Sequence, residues 1–435
     1  PFFVYVSMLL VKYLGVSLAT VSLLFHLGVM LLLPIMVHYC GFDVRDQWKR
    51  HRRDPLQTDD DNDGENLDIS APPVTSISAY YSEGAVTLWA LVIYTLDPLA
   101  FFCSQKFWID NALLFSVTAA ATIHMVTWRR VAARRPRTKL RLALRALSSG
   151  FIYGMLVLNC KITGLAQLPF MLSWIFVSMI EVVGFWTIIT CCFVPYMLGA
   201  AVAYMPWLWV YYTHTGRWLP NAWPSASMLK DSAFLRLALS KPVTYYVEML
   251  LEFSPMQILG ISFGAVVSMR YIGKHMWQFL HCNSRRARIN GDNFVAYGGS
   301  GHVTALIAWP TAFLVGLTLV GMFGGGFQAR FMLPILPATS VLAARCVHRA
   351  SSIRHGNSTS LAGVHVLTVV ALAYSSMHCL YYGMLFTNLY ADLDLSMFSV
   401  LSKILSEPYA PVSSPQVMQE MLRFMTHFGL HLKSQ

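Results

Sequence analysis

Gly150–Pro169 reads GFIYGMLVLNCKITGLAQLP. One cation, Lys161, stands between two apolar runs, with Gly154 and Gly164 close to it. A lysine at bilayer depth costs about 2.5–3.5 kcal/mol on insertion scales, so it belongs at a helix end, where it snorkels, or against a wet cavity. The glycines let another backbone or a lipid headgroup come close. Read this way, the stretch holds the end of one membrane span and the start of the next, with a charge between them.

The rest of the chain agrees with a membrane setting. Its 435 residues are 56% hydrophobic and 12% charged, with a mean hydropathy of +0.51. A soluble domain carries about 25% charged residues. Apolar runs fall near 17–38, 84–101, 110–127, 148–163, 168–188, 190–211, 247–267, 302–322, 331–346 and 361–386. They predict an all-α, polytopic membrane protein of about ten transmembrane helices. Residues 1–386 form the transmembrane domain, in which 41–80 reads as a disordered cytosolic loop and 212–245 as a lumenal loop. Residues 387–435 make a short lumenal tail. The eight cysteines show no CxxC pair and lie mostly in or beside apolar runs, so they read as small hydrophobes.

Charge sets the orientation. With Pro1 on the lumenal side, the loops 39–83, 128–147, 268–301 and 345–360 face the cytosol and hold 21 of the 32 lysines and arginines. That is the bias the positive-inside rule describes. The densest run, around Arg129–Arg145, is flanked at once by apolar spans, so its partner is the anionic surface of a bilayer and not nucleic acid. Asp110, Lys161 and Arg330 then all fall at the non-cytosolic end. The acidic patch Asp59–Asp63 resembles a calcium loop in its early positions. It has Ser70 where the bidentate glutamate belongs, and reads as solvated chain. The sequon Asn357-Ser358-Thr359 is cytosolic in this topology and should be unmodified.

Three further stretches carry chemistry-bearing residues. Asp110 opens an apolar run after Pro98 and Ser104; a carboxylate there also suits the positive end of a helix. Arg330 follows three glycines and precedes Pro334 and Pro337. Arginine grips phosphate through paired hydrogen bonds, and it also serves as a topological anchor at an interface. Tyr245 and Tyr246 follow Lys241-Pro242 at the start of another run. Glu248 and Glu252 lie one turn apart on that helix without forming a catalytic pair.

In chain order these pieces resemble the GT-C membrane glycosyltransferases, in the branch with the protein O-mannosyltransferases and the bacterial aminoarabinose transferase. The pattern G-x-x-x-G-x-x-x-x-x-x-K-x-x-G-x-x-x-x-P of Gly150–Pro169 looks like the family's mid-chain helical hairpin. Pro98, Ser104 and Asp110 match its proline, serine and helix-opening aspartate. Pro242-x-x-Tyr245-Tyr246 matches its entry to a lumenal helix, and Arg330-Phe-x-Leu-Pro-x-x-Pro its late helix. The opening PFFVYVSMLLVKYLG is similar to the segment after the family's first lumenal loop. That resemblance puts the catalytic acidic residue upstream of Pro1, with Asp110 as the candidate inside the sequence, either for catalysis or for acceptor binding or orienting one of the cations.

The resemblance implies transfer of a sugar, such as mannose, from a polyprenyl- or dolichyl-phosphate donor to a lumenal protein or glycolipid acceptor in the endoplasmic reticulum. Lys161 and Arg330 would bind the donor phosphate, and Tyr245, Tyr246 and Lys106 would line the donor or acceptor site. No organic cofactor is implied, and no metal ligands are assigned, although a divalent metal is compatible with the family. Two other readings stay open at this level. One is a transporter or channel whose path Asp110, Lys161 and Arg330 line. The other is a catalytically inactive GT-C-like subunit.

Overall fold

The computed structural model describes residues 12, 13, 15, 17–41, 75–104, 109–134, 138–180, 182–216, 244–281, 298–320, 329–352, 366 and 368–377. Lys106, the sequon, the acidic patch, most of the 41–80 and 212–245 loops, the opening residues through Val11 and the 387–435 tail lie outside them. Every regular element among the described residues is helical. The helices are α1 (Leu18–Gly41), α2 (Thr75–Thr95), α3 (Pro98–Ser104), α4 (Ile109–Arg134), α5 (Lys139–Tyr153) and α6 (Leu168–Met179). They continue as α7 (Val194–Thr215), α8 (Tyr245–Phe253), α9 (Pro255–His281), α10 (Gly298–Val320) and α11 (Leu336–Ser352).

Among the described residues, eight helical segments are long and apolar enough to cross a bilayer. Two more, Glu83–Thr95 and Thr368–Met377, are apolar but shorter. The ten expected runs therefore all meet helix, and eight of them reach spanning length. The chain is an integral, multi-pass helical membrane protein. One face of α1 is open, with Leu23, Leu24, Leu27, Leu31 and Ile35 exposed. An apolar face of this kind suits lipid.

α4 and α11 form the centre. α1 packs on α4, α2 on α11, and α9 and α10 cover α11 and each other. α6 joins α10 to α4, while α5 and α7 make an outer pair. Glycine fits this outer pair together. A Cβ on Gly150 would stand 1.9 Å from the Tyr196 carbonyl oxygen, one on Gly154 2.6 Å from that of Ala200, and one on Gly199 2.1 Å from that of Leu147. Small residues let membrane helices approach backbone to backbone, where packing and not hydrophobic burial drives association. The Gly150/Gly154 spacing is thus answered by a neighbouring helix backbone rather than by a lipid headgroup.

The two ends of the bundle differ in chemistry. Arg129, near the end of α4, donates to the Tyr39 carbonyl at 3.4 Å, and Arg345 of α11 donates to the Val37 carbonyl at 3.0 Å. Both reach the C-terminal end of α1, where the dipole favours cations, and the Tyr39 carbonyl is among the last four, which lack helical partners. Asp110 and Arg129 stand at opposite ends of α4, about 28 Å apart at 1.5 Å per residue, close to the thickness of the hydrocarbon core. The end that collects Asp110 is therefore the end away from the basic loops.

Candidate functional site

The chain breaks where Lys161 sits. α5 runs on through a π-helical turn, Gly154–Leu158, and a 3-10 segment, Ile162–Gln167, leads into α6. Between them Lys161 is extended, with φ −156° and ψ 132°. The vertex is pinned from both sides. The Tyr153 hydroxyl donates to the Gly164 carbonyl at 2.8 Å, and the Asn159 amide donates to the Ala203 carbonyl of α7 at 3.1 Å. Past the vertex the two arms separate, α5 onto α7 and α6 onto α10 and α4. Lys161 is at a helix junction, and it also has a fixed partner.

That partner is Asp110, in the first turn of α4. Lys161 Nζ lies 2.5 Å from Asp110 Oδ1, and Arg330 Nε lies 3.6 Å from Asp110 Oδ2. Arg330 comes from the 3-10 segment Ala329–Ile335 that leads into α11 and packs against α4. Phe331 completes the group: its ring centroid is 4.5 Å from Lys161 Nζ and 5.6 Å from the Arg330 guanidinium carbon. Such contacts favour a cation over the ring face. Three residues from distant parts of the chain, all expected at one end of the bundle, thus meet on one carboxylate. Asp110 is only 2% exposed, whereas the side chains of Lys161 and Arg330 keep 22% and 20%. The carboxylate is buried and the two cationic side chains are partly exposed.

Two buried polar networks hold this end in place, and neither is evident from local sequence pattern. In the first, the Tyr94 hydroxyl meets His26 Nδ1 at 2.9 Å, and His26 Nε2 meets Asn111 Oδ1 at 3.1 Å. The Asn111 amide donates to Ser22 Oγ and to the Cys103 carbonyl. An imidazole protonated on Nε2 satisfies the whole chain: it accepts from tyrosine and donates to asparagine. Asn111 neighbours Asp110, so this network fixes the start of α4 against α1 and α2.

In the second, Asp97 precedes α3. Its Oδ1 accepts from the backbone of Leu99 at 2.9 Å and Ala100 at 3.2 Å, and its Oδ2 accepts from the Gln257 amide at 3.0 Å. Gln257 Oε1 in turn accepts from the Thr339 hydroxyl at 2.5 Å. This ties the α2–α3 corner to α9 and to α11, just beyond Arg330. Burial pushes the Asp97 carboxyl up to about 6, against hydrogen bonds from Gln257, Ser254 and the Ala100 and Leu99 amides that pull it down.

The remaining candidates fall out as follows. Tyr245 and Tyr246 are buried, 2% and 1% exposed, with ring centroids 5.2 Å apart. Their helix α8 touches the Arg330 segment, so they stand behind that segment and form no open wall. Lys106 is among the residues not described. Glu248 accepts from the Thr244 hydroxyl at 2.6 Å at the start of α8. Among the described residues no group of three or more His, Cys, Asp or Glu could hold a metal ion. Ionisable and amide side chains inside apolar runs were the signal available for His26, Asn111 and Gln257.

No family model, curated protein or solved structure matches this chain.

Proposed function

We propose that this chain is a membrane glycosyltransferase of GT-C type, moving a sugar from a polyprenyl- or dolichyl-phosphate donor to an acceptor on the non-cytosolic face, with the endoplasmic reticulum as its membrane. The observation that carries this reading is the pairing of Lys161 and Arg330 on one buried carboxylate, with both cationic side chains partly exposed. A single intramembrane cation fits many roles. Two cations held side by side, at the end of the bundle away from the basic loops, suit a lipid-linked phosphate.

In such a transfer the bond between the sugar's anomeric carbon and the phosphate oxygen breaks. Negative charge then grows on the departing lipid phosphate. Lys161 offers a compact ammonium and Arg330 a planar fork of donors, and both are fixed before the charge develops. Asp110, covered by the two cations, keeps them in place and stays away from the acceptor. Loss of one preorganised donor at a developing charge costs about 10²–10³ in rate.

The test is turnover by the full chain in lipid nanodiscs, read as release of polyprenyl phosphate from polyprenyl-phosphate-mannose in the presence of acceptor. Lys161→Ala and Arg330→Ala should each lose about a hundredfold or more while remaining folded. A folded protein with no turnover across several donor sugars and acceptors would overturn the proposal.

A further inference from the structure

Asp110 neutralises half of the charge that faces a ligand. Its Oδ1 takes Lys161 and its Oδ2 takes Arg330, so the three side chains together carry a formal charge of +1. The carboxylate is 2% exposed and lies under the cations, while the Phe331 ring occupies the space beside both of them. An incoming anion therefore meets Lys161 and Arg330 directly and feels Asp110 across them.

We infer that Asp110 is a specificity-determining positioning residue: by cutting the formal charge of the site from +2 to +1, it lowers the advantage that a lipid phosphomonoester has over a lipid phosphodiester. The inference rests on reading the site as a phosphate clamp. A phosphodiester carries one negative charge, and a phosphomonoester about 1.5 to 2 at neutral pH. Two cations alone would reward the second charge. A fixed carboxylate about 6 Å away in a partly solvated site penalises each added ligand charge by about ten- to a hundredfold in affinity. In a transfer reaction the donor is the diester and the departing lipid phosphate is the monoester. The same carboxylate thus weakens the product's hold on the site more than the substrate's.

The test uses the full chain in maltoside micelles, which bring no phosphate of their own. Dissociation constants are measured by calorimetry for farnesyl phosphate and for its methyl phosphodiester. Asp110→Asn should shift the preference toward the monoester by about tenfold or more. Lys161→Gln, which lowers the formal charge to zero, should shift it the other way, and Asp110→Asn/Lys161→Gln should return it to the wild-type ratio. Absolute affinities can fall in all three variants; the ratio is what a merely structural role for Asp110 would leave unmoved. A ratio unchanged by both single variants, with both lipids still bound, overturns the inference and leaves the phosphate clamp standing. Failure of the wild-type protein to bind either lipid overturns the clamp itself.

Discussion

Replacing Gly150 by alanine adds one methyl where the structure has no room. Its Cβ would stand 1.9 Å from the Tyr196 carbonyl oxygen, and 2.7 Å from the carbonyl carbon. A carbon needs about 3.3 Å from such an oxygen, so the deficit is about 1.4 Å. The obstacle is backbone inside a helix, and no rotamer change removes it. α5 and α7 must part, and overpacking of this kind costs about 1–3 kcal/mol. Their contact is close packing in a bilayer, where separation gains nothing from water, so a value near 2–3 kcal/mol is expected. Gly199→Ala meets the same crossing from the other side, 2.1 Å from the Leu147 carbonyl oxygen. Once the helices have parted for one methyl, the second is cheaper. The double variant should therefore cost about 1 kcal/mol less than the two single effects combined. Equilibrium unfolding in detergent measures all three. Single variants within about 0.5 kcal/mol of wild type, or strict additivity, would refute the reasoning.

Three other outcomes are expected. Because the native Asp97 carboxyl titrates near 6 and the unfolded one near 3.8, the folded state holds a proton that the unfolded state has lost between those values. Stability should fall as pH rises across that window, by about 3 kcal/mol. Asp97→Asn has no proton to lose and should flatten this fall in thermal unfolding scans, although its amide nitrogen gives up the bond from Gln257; a pH profile with the same slope as wild type would argue against a buried, protonated Asp97. His26→Leu takes a partner from both Tyr94 and Asn111, and should cost about 2–5 kcal/mol in the same unfolding assay. For topology, Arg134→Cys and Thr244→Cys, both at exposed positions, should react with a membrane-impermeant thiol reagent from opposite sides of sealed microsomes, Arg134→Cys from the cytosol.

Much of the architecture was legible because a bilayer enforces simple rules. Apolar runs of spanning length, broken by glycine and proline and biased by Arg129–Arg145, place the helices and separate the two ends. The site was legible in part. Lys161, Arg330 and Asp110 each stood out as a charge beside an apolar run, and the inferred topology put them at one end. Asp110 could be read as orienting one cation; that it faces both was not legible, because nothing in local spacing says that one carboxylate will meet two cations from elsewhere in the chain. Gly154 left room for another backbone or a lipid headgroup, and the structure fills it with the backbone of Ala200. Tyr245 and Tyr246 were expected from the resemblance to line the donor or acceptor site; both are buried. The His26–Asn111 and Asp97–Gln257 networks depend on contacts between remote helices, which a single sequence does not reveal.

The central claim is that Lys161 and Arg330 hold a lipid-linked phosphate above Asp110. An experimental structure of the full chain with a non-transferable polyprenyl-phospho-sugar analogue tests it most directly. The phosphorus should lie within about 4 Å of both Lys161 Nζ and the Arg330 guanidinium, at charge-assisted hydrogen-bonding range, with the sugar toward the non-cytosolic face. A phosphate seated at the Arg129–Arg345 end, or at neither cation of the pair, would contradict it.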